Sequence, residues 1–428
     1  MHAHRRSRKR REAKEVPFPP TPGLGVRQFR RRLHAQGSDG RGRPVDFEFA
    51  TAGRILFGFG TAARIAPEAA ALGDRLFVVT GATPGRAAFL LEALALRGCA
   101  VKAFAVRGEP TLETVGVALE EARAWGAEAL VAIGGGAVID TAKAVSGWCT
   151  NPGDPLDFLE GIGKGKPLER PGLPWVAVPT TAGSGAEATR NAVIRVPARR
   201  AKVSLRSPHL LPRLAVVDPE LTLELPPAVT AATGMDALAQ LLEAFVSRRA
   251  NPLTDALCRE GIPRAARALP VAVADGSDRR AREAMALASL FGGIALANAG
   301  LGAVHGLAGP FGGMAAAPHG AVCGRLLPAV TAANVAALRA RDPKSRALER
   351  YGELARMLTG RPEAAPEEAA SWLAERVREF GLPRLSAYGA SPEQVPELIA
   401  AARRASSMRG NPVELTPEEL SAIVHESL

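Results

Sequence analysis

Between Asp46 and about Leu225 the chain alternates two patterns, and beyond Leu225 only one of them continues, a change that few folds accommodate. The first pattern is a short apolar run: LFVVT at 76–80, AVKAFAV at 100–106, ALVAIGGG at 129–136 and WVAVPTT at 175–181. Such runs read as buried strands of a parallel sheet. The second pattern is amphipathic: RAAFLLEALALRG and TVGVALEEARAWG carry helical periodicity, each closed by a glycine suited to a helix C-cap. Strand and helix in alternation predict an open, mostly parallel α/β sheet with helices on both faces. After Leu225 come PPAVTAATGMDALAQLLEAFVS, NPLTDALCREGIPRAARAL, RAREAMALASLFGGIALANAG, PEEAASWLAERVREFG and SPEQVPELIAAARRA, all rich in Ala and Leu and all helical in pattern. At 428 residues the chain exceeds the size of one ordinary core. The expected organisation is an α/β domain over 46–224 and an all-helical domain over 225–428, divided near Pro219–Pro226.

Charge is unevenly spread. Thirteen Lys or Arg against three acids within residues 1–45 carry +10 of the formal +11, so the remaining body is nearly neutral. The segment 1–45 mixes an arginine run with proline and glycine and is expected to be a disordered basic tail. It leaves open a nucleic-acid arm, an arginine-rich transit peptide or an unselected extension. Cys99, Cys149, Cys258 and Cys323 form no CxxC pair and no disulfide framework, which fits a reducing compartment. The N-terminus lacks an apolar signal-peptide core and no window reaches about 18 uninterrupted apolar residues, so the expectation is a cytoplasmic protein with no membrane partner.

Two stretches carry chemistry. ALVAIGGGAVIDTAKAV places Gly134, Gly135 and Gly136 between a strand and a helix, where glycine lets backbone approach a pyrophosphate and the helix N-terminus supplies free N–H groups. Ala137 follows in the loop, and Asp140 in the same motif is taken as a cofactor residue. A tight strand-to-helix turn without a ligand is the alternative. No GK[ST] follows, which removes the Walker-type phosphoryl-transfer reading, and the motif is not GxGxxG. Thr180, Thr181, Ser184, Thr189 and Asn191 cluster after the strand at 175–181, at the end that faces a ligand crevice in parallel sheets, or else form a self-capped polar loop.

In GMDALAQLLEAF, Asp236 and Gln240 are four apart on a helix and share a face. His305 and His319, two of only seven histidines, each sit among small residues at a predicted helix start. Two imidazoles and a carboxylate give a divalent metal its ligands while leaving a position for substrate. Cys323, four residues after His319, shares its helical face; small-residue packing is the expected role, a thiolate ligand the alternative.

From Asp46 to the C-terminus the chain resembles the iron-containing (group III) alcohol dehydrogenases, through RILFGFG, AIGGGAVIDTAKA, VPTTAGSGAEATR, the DP of VVDPEL, TGMDAL, NPLTDAL and HGLAGPFGG followed by PHG. That resemblance implies a dehydroquinate synthase-like fold with a cleft between a dinucleotide-binding and a metal-binding half. It matches Gly134–Gly136 and Ala137 to the pyrophosphate loop, and Thr180, Thr181, Ser184, Thr189, Asn191 and Lys202 to other contacts of NAD or NADP. Asp236, His305 and His319 are matched to ligands of one Fe2+ or Zn2+. The implied reaction is hydride transfer between a small alcohol or aldehyde and the nicotinamide, in a dimer or larger homo-oligomer. Rival expectations are an oxo-acid reductase of the maleylacetate reductase or hydroxyacid–oxoacid transhydrogenase kind and, from another class, a nucleic-acid-binding protein acting through the basic tail.

The sequence departs from the family at three places. Gln240 stands where iron-dependent members have histidine; its amide oxygen can still serve as a further metal donor beside Asp236, His305 and His319, but a weaker one toward iron or zinc than imidazole, which points to zinc or a weakly held metal. Gly309 stands where many members have a second histidine that relays the alcohol proton. Gly81, after the first strand of the FVVTGATPGR motif, stands where NAD-preferring relatives carry an acid, which with Arg86 nearby predicts tolerance of NADP. Phe158, Phe291 and Met314 are taken as pocket-lining residues, and no cluster of basic residues marks an acidic substrate.

Overall fold

A computed structural model describes residues 46–428; the basic tail and its expected disorder lie outside the described residues. Glu48–Leu428 forms one compact unit. Its sheet comprises β1 (Ile55–Phe57), β2 (Arg75–Thr80), β3 (Ala100–Ala105), β4 (Ala129–Gly134), β5 (Trp175–Pro179) and, beyond a hairpin of β6 (Asn191–Val196) and β7 (Ala201–Arg206), β8 (Leu214–Val217). The order is β1-β8-β5-β4-β2-β3 and every pair is parallel. The helices α1 (Ile65–Ala70), α2 (Ala88–Ala95), α3 (Leu112–Trp125) and α4 (Gly136–Thr150) make the crossovers.

Burial explains the apolar runs. Every residue of β4 and β5 is buried, because helices cover both faces of the sheet and two apolar clusters fill the space beneath them. β3 differs from the expectation: it is an edge strand with partly exposed residues, so Lys102 is tolerated and pairs at 3.1 Å with Glu121 on α3. The antiparallel β6–β7 hairpin and the short β1 and β8 carry too little pattern to be read from sequence. α3 ends as its sequence signals, with the Thr111 hydroxyl accepting from Thr114 N at 3.1 Å and Gly126 closing the helix at φ 67°.

The chain reverses direction across the sheet between β2 and β4, since β3 lies outside β2 while β4 and β5 lie on its other side. Ligands of open parallel sheets bind outside the carboxyl ends of strands at such a switch point. The loop leaving β4 there is the glycine run.

From Pro227 the structure is helical: α5 (Pro227–Val246), α6 (Pro252–Ala274), α7 (Arg279–Ala299), α8 (Ala303–Met314), α9 (His319–Arg341), α10 (Arg346–Thr359), α11 (Pro366–Glu379), α12 (Val395–Arg404) and α13 (Pro417–Ser427). They share a core built largely from Ala and Leu around α5, α9 and α10. α5 and α6 are tied to α10 by a buried ion pair, with Arg350 donating to both Asp255 oxygens and to the Phe245 carbonyl. α9 is long and apolar enough to cross a membrane by length and composition, but 78% of that window is buried inside the protein, as a core helix requires.

Candidate metal centre and cofactor cleft

Three helices meet at one buried point. α5 presents Asp236, Gln240 and Glu243 from one face, at spacings of four and seven residues, and all three are buried. α7 stops at Gly300, whose φ of 73° suits only glycine, and α8 departs at 96° to it, which turns His305 on the first turn of α8 toward α5. Gly302 at this corner has no room for a side chain: a Cβ would come within 2.9 Å of Glu243 Oε1. His319 opens α9 after Pro318, and Gly320 lets the helix close on α5, since a Cβ there would lie 2.5 Å from the Ala232 carbonyl oxygen. The glycines of the HGLAGPFGG and PHG stretches thus include one whose task is to bring a histidine against Asp236.

The donor atoms of Asp236, His305, His319 and Cys323 all lie within 4.8 Å of one another. Asp236 Oδ1 stands 3.3 Å from His305 Nε2, and Cys323 Sγ 3.6 Å from His319 Nε2. Asp236 Oδ1, His319 Nδ1 and Gln240 Oε1 are buried without a hydrogen-bond partner. The cost of leaving such groups unpaired is about 1–3 kcal/mol each, more for a charged one, and a divalent cation at this point would remove it for the carboxylate. Gln240 is held by its amide, which donates to the Ser184 carbonyl at 3.2 Å.

Charge reinforces the arrangement. Burial opposes the Asp236 carboxylate, but His305 and His319 beside it offset that and hold its pKa below the usual range. Burial also opposes a charged His305, yet Cys323, Asp236 and Glu243 raise its pKa well above normal. Burial, and after it Lys202, push His319 down to about 3, so its ring stays neutral, the form that ligates metals. Burial pushes the Cys323 thiol up to about 12 against the opposing pull of His305. The donor set therefore fits a divalent metal: one anion, neutral imidazole and soft or neutral neighbours at a largely buried point.

Sequence reasoning missed Glu243. Its Oε2 lies 2.6 Å from His305 Nδ1, and its Oε1 accepts from Val304 N at 2.7 Å. A carboxylate on the outer ring nitrogen fixes the tautomer that leaves Nε2 free for a metal. The signal was present, because Glu243 follows Asp236 by seven residues on the same helix.

Asp236, Gln240, His305 and His319 line a cleft of about 1650 Å³, together with Gly135, Gly136, Ala137, Asp140, Thr181, Ser184, Thr189, Asn191 and Lys202. That exceeds the roughly 300–1,000 Å³ of an ordinary small-ligand pocket and leaves room for a dinucleotide beside a substrate. Gly135 is the N-cap of α4, so the first free N–H groups of the helix point into the cleft. A Cβ on Gly136 would meet Ser184 Oγ at 2.9 Å, which shows how closely the two loops approach. Gly134 and Thr180 stand behind this wall, joined by the Thr180 N to Gly134 O bond of 3.0 Å.

Lys143, also unremarked in the sequence, organises the loop opposite. It is fully buried and donates to Thr189 Oγ1 (2.7 Å), the Asn191 carbonyl (2.8 Å) and Asp140 Oδ1 (3.4 Å). Burial lowers its pKa and Asp140 counters that. Asp140 Oδ2 accepts from Val193 N at 3.0 Å, so this carboxylate staples α4 to the β6–β7 hairpin. Lys202 pairs with Glu109 Oε1 at 2.5 Å.

Two expectations need correction. Phe158 is buried in the core beneath the sheet and Phe291 packs on the helical core, because α7 turns that face inward; of the three guessed lining residues Met314 alone reaches the cleft. Arg249, from one stretch of chain, and Arg403, Arg404 and Arg409, from another, line the wall of the cleft. Gly309 lines the cleft with open space where a side chain would stand.

Comparison with known proteins agrees along the chain. The family described as iron-containing alcohol dehydrogenase matches residues 52–219, and the C-terminal part of the Fe-containing alcohol dehydrogenase family matches 230–428. Alcohol dehydrogenase 4 of Schizosaccharomyces pombe is 38% identical over 76% of this chain and 74% of its own length. The crystal structure of a 1,3-propanediol oxidoreductase superposes with a TM-score of 0.82 at 31% identity, covering 90% of this chain and all of the other. Sulfoacetaldehyde reductase from Bifidobacterium kashiwanohense, solved in complex with NAD+, gives a TM-score of 0.77 at 29% identity over 89% of this chain and 98% of its own.

Proposed function

Because the chain belongs to the iron-containing alcohol dehydrogenase family and is thereby an oxidoreductase acting on CH–OH groups, we propose that Asp236, His305 and His319 hold its metal and that the glycine cleft takes NAD or NADP. The observation that carries the reading is the convergence of those three side chains on the same cleft as Gly135 and Gly136. When bound, the divalent metal supplies Lewis acidity that lowers an alcohol's pKa and polarises a carbonyl, and the nicotinamide supplies or accepts the hydride.

The residues of this chain do the rest. Gly135, Gly136 and Ala137 offer backbone N–H groups to the pyrophosphate, while Lys143 holds Thr189 and Asn191 in place along the cleft. Glu243 orients His305. With no side chain at Gly309, the alcohol proton departs through water, the cofactor ribose or another group. Residues 46–224 act as the cofactor half and 225–428 as the metal half, zinc is the metal in use, NADP is accepted beside NAD, and the enzyme works in the cytoplasm as a dimer or larger assembly.

A second reading, reduction of an oxo acid, draws on Arg249, Arg403, Arg404 and Arg409, which could hold an anionic substrate group at the cleft wall. One panel of short alcohols, aldehydes and 2-oxo acids, run with both cofactors and with or without a chelator, tests both. Turnover of uncharged aldehydes that is lost on chelation and restored by Zn(II) supports the first. Turnover confined to oxo acids and indifferent to chelation overturns it.

A further inference from the structure

We propose that Cys323 is a ligand of the metal, its thiolate completing a four-donor set with Asp236, His305 and His319 in place of the amide of Gln240. The proposal rests on the reading that a divalent metal binds at those three residues.

Distances argue for it first. With arms of about 2.0–2.1 Å to nitrogen and oxygen and about 2.3 Å to sulfur, a tetrahedral centre has donor–donor edges of about 3.4 Å between N and O and about 3.6 Å between S and N. The His305 Nε2–Asp236 Oδ1 and Cys323 Sγ–His319 Nε2 separations are 3.3 and 3.6 Å. Two edges of the tetrahedron thus stand at their bonded lengths, and the remaining separations stay within 4.8 Å.

Placement argues for it second. Asp236, His305 and His319 line the cleft, whereas Cys323, fully buried one turn along α9 from His319, does not. The thiol approaches from behind and leaves the cleft side of the centre to the substrate, which would enter as a fifth donor. The buried Asp236 Oδ1, 4% of its residue exposed and without a hydrogen-bond partner, is aimed at the same point.

Gln240 is the competing donor. Its amide nitrogen donates to the Ser184 carbonyl at 3.2 Å, and its Oε1 is turned toward Gly292 of α7, where an added Cβ would stand 3.1 Å from it. A thiolate is also the softer donor and shifts preference from an iron-type set of oxygen and imidazole toward zinc. Binding releases the thiol proton to solvent, so the exchange is one proton for one metal–sulfur bond.

Cobalt(II) decides the matter by spectrum rather than by activity. The metal-depleted full chain, titrated with Co(II), is expected to bind one ion and to develop an intense near-ultraviolet thiolate-to-cobalt charge-transfer band. Cys323→Ser and Cys323→Ala should lose the band and weaken Co(II) binding by about tenfold or more, while Gln240→Ala keeps the band. One bound Co(II) with visible bands but no thiolate band in the unmutated chain overturns the proposal and leaves the three-ligand reading standing. A band that survives Cys323→Ala also overturns it. Failure of the unmutated chain to bind Co(II) at all overturns both.

Discussion

Replacing Glu243 by glutamine tests how the metal pocket is held together without touching a ligand. Glu243 is 6% exposed, with one oxygen 2.6 Å from His305 Nδ1 and the other 2.7 Å from Val304 N. Glutamine fills the same volume, and its single oxygen can keep the bond from Val304. Its amide then faces His305 as a donor, which makes Nδ1 an acceptor and moves the ring proton to Nε2, the atom 3.3 Å from Asp236. That proton must return to Nδ1, against the amide donor now facing it, before Nε2 can ligate. Losing such a carboxylate partner costs about 10–100-fold in metal affinity, or about 1.4–2.8 kcal/mol. Competition for Zn(II) between the metal-depleted protein and a chromophoric chelator measures the change, and the melting curve of the metal-free variant checks its fold. A folded Glu243→Gln protein whose zinc affinity stays within about threefold of the parent refutes the tautomer argument.

Three further outcomes are expected. Glu187 is almost fully buried, and burial raises its pKa to about 7 from an ordinary 4.5 against the pull of Lys143. The folded chain therefore holds this proton to higher pH than the unfolded chain, so stability falls as pH rises from about 4.5 to about 7 and the loss persists above; Glu187→Gln should regain up to about 3 kcal/mol near pH 8 and almost nothing near pH 4.5 in urea unfolding. A gain of equal size at both pH values would falsify the burial argument. Gly136→Ala, whose Cβ would crowd Ser184 Oγ at 2.9 Å, should raise the KM for either cofactor by about tenfold while leaving the alcohol KM nearly unchanged; an unaltered cofactor KM removes the glycine loop from the binding site. With Gly81 in place of an acid after β2, kcat/KM for NADP should lie within about a hundredfold of that for NAD, and a larger preference for NAD contradicts the reading of that position.

Much of this architecture is legible in the sequence because burial on two faces writes itself as an unbroken apolar run. β2, β4 and β5 are of that kind, and so are the long helices with their Ala and Leu stripes. β1, β8 and the β6–β7 hairpin are short or half-exposed, and their pairing depends on partners far along the chain, so no local pattern announces them. At the site the same division holds. Residue type picks out Asp236, His305 and His319, since few other side chains in small-residue surroundings offer metal donors. Glu243 and Lys143 look like ordinary helix residues until packing removes them from water, and the arginines at 249, 403, 404 and 409 come to share a cleft wall only in the folded chain, where Arg248 N donates to the Gly410 carbonyl. Phe158 and Phe291 fail in the opposite direction: an aromatic near a loop suggests a pocket wall, but the core claims it first.

The central claim is that turnover depends on one divalent metal held through Asp236. Metal-depleted full-length protein, titrated with Zn(II) while NADH or NADPH formation from a short alcohol is followed, is predicted to gain activity linearly up to one ion per chain, with Asp236→Asn showing almost none at any zinc concentration. Full activity in the metal-depleted protein, or an Asp236→Asn variant that turns over like its parent, would contradict it.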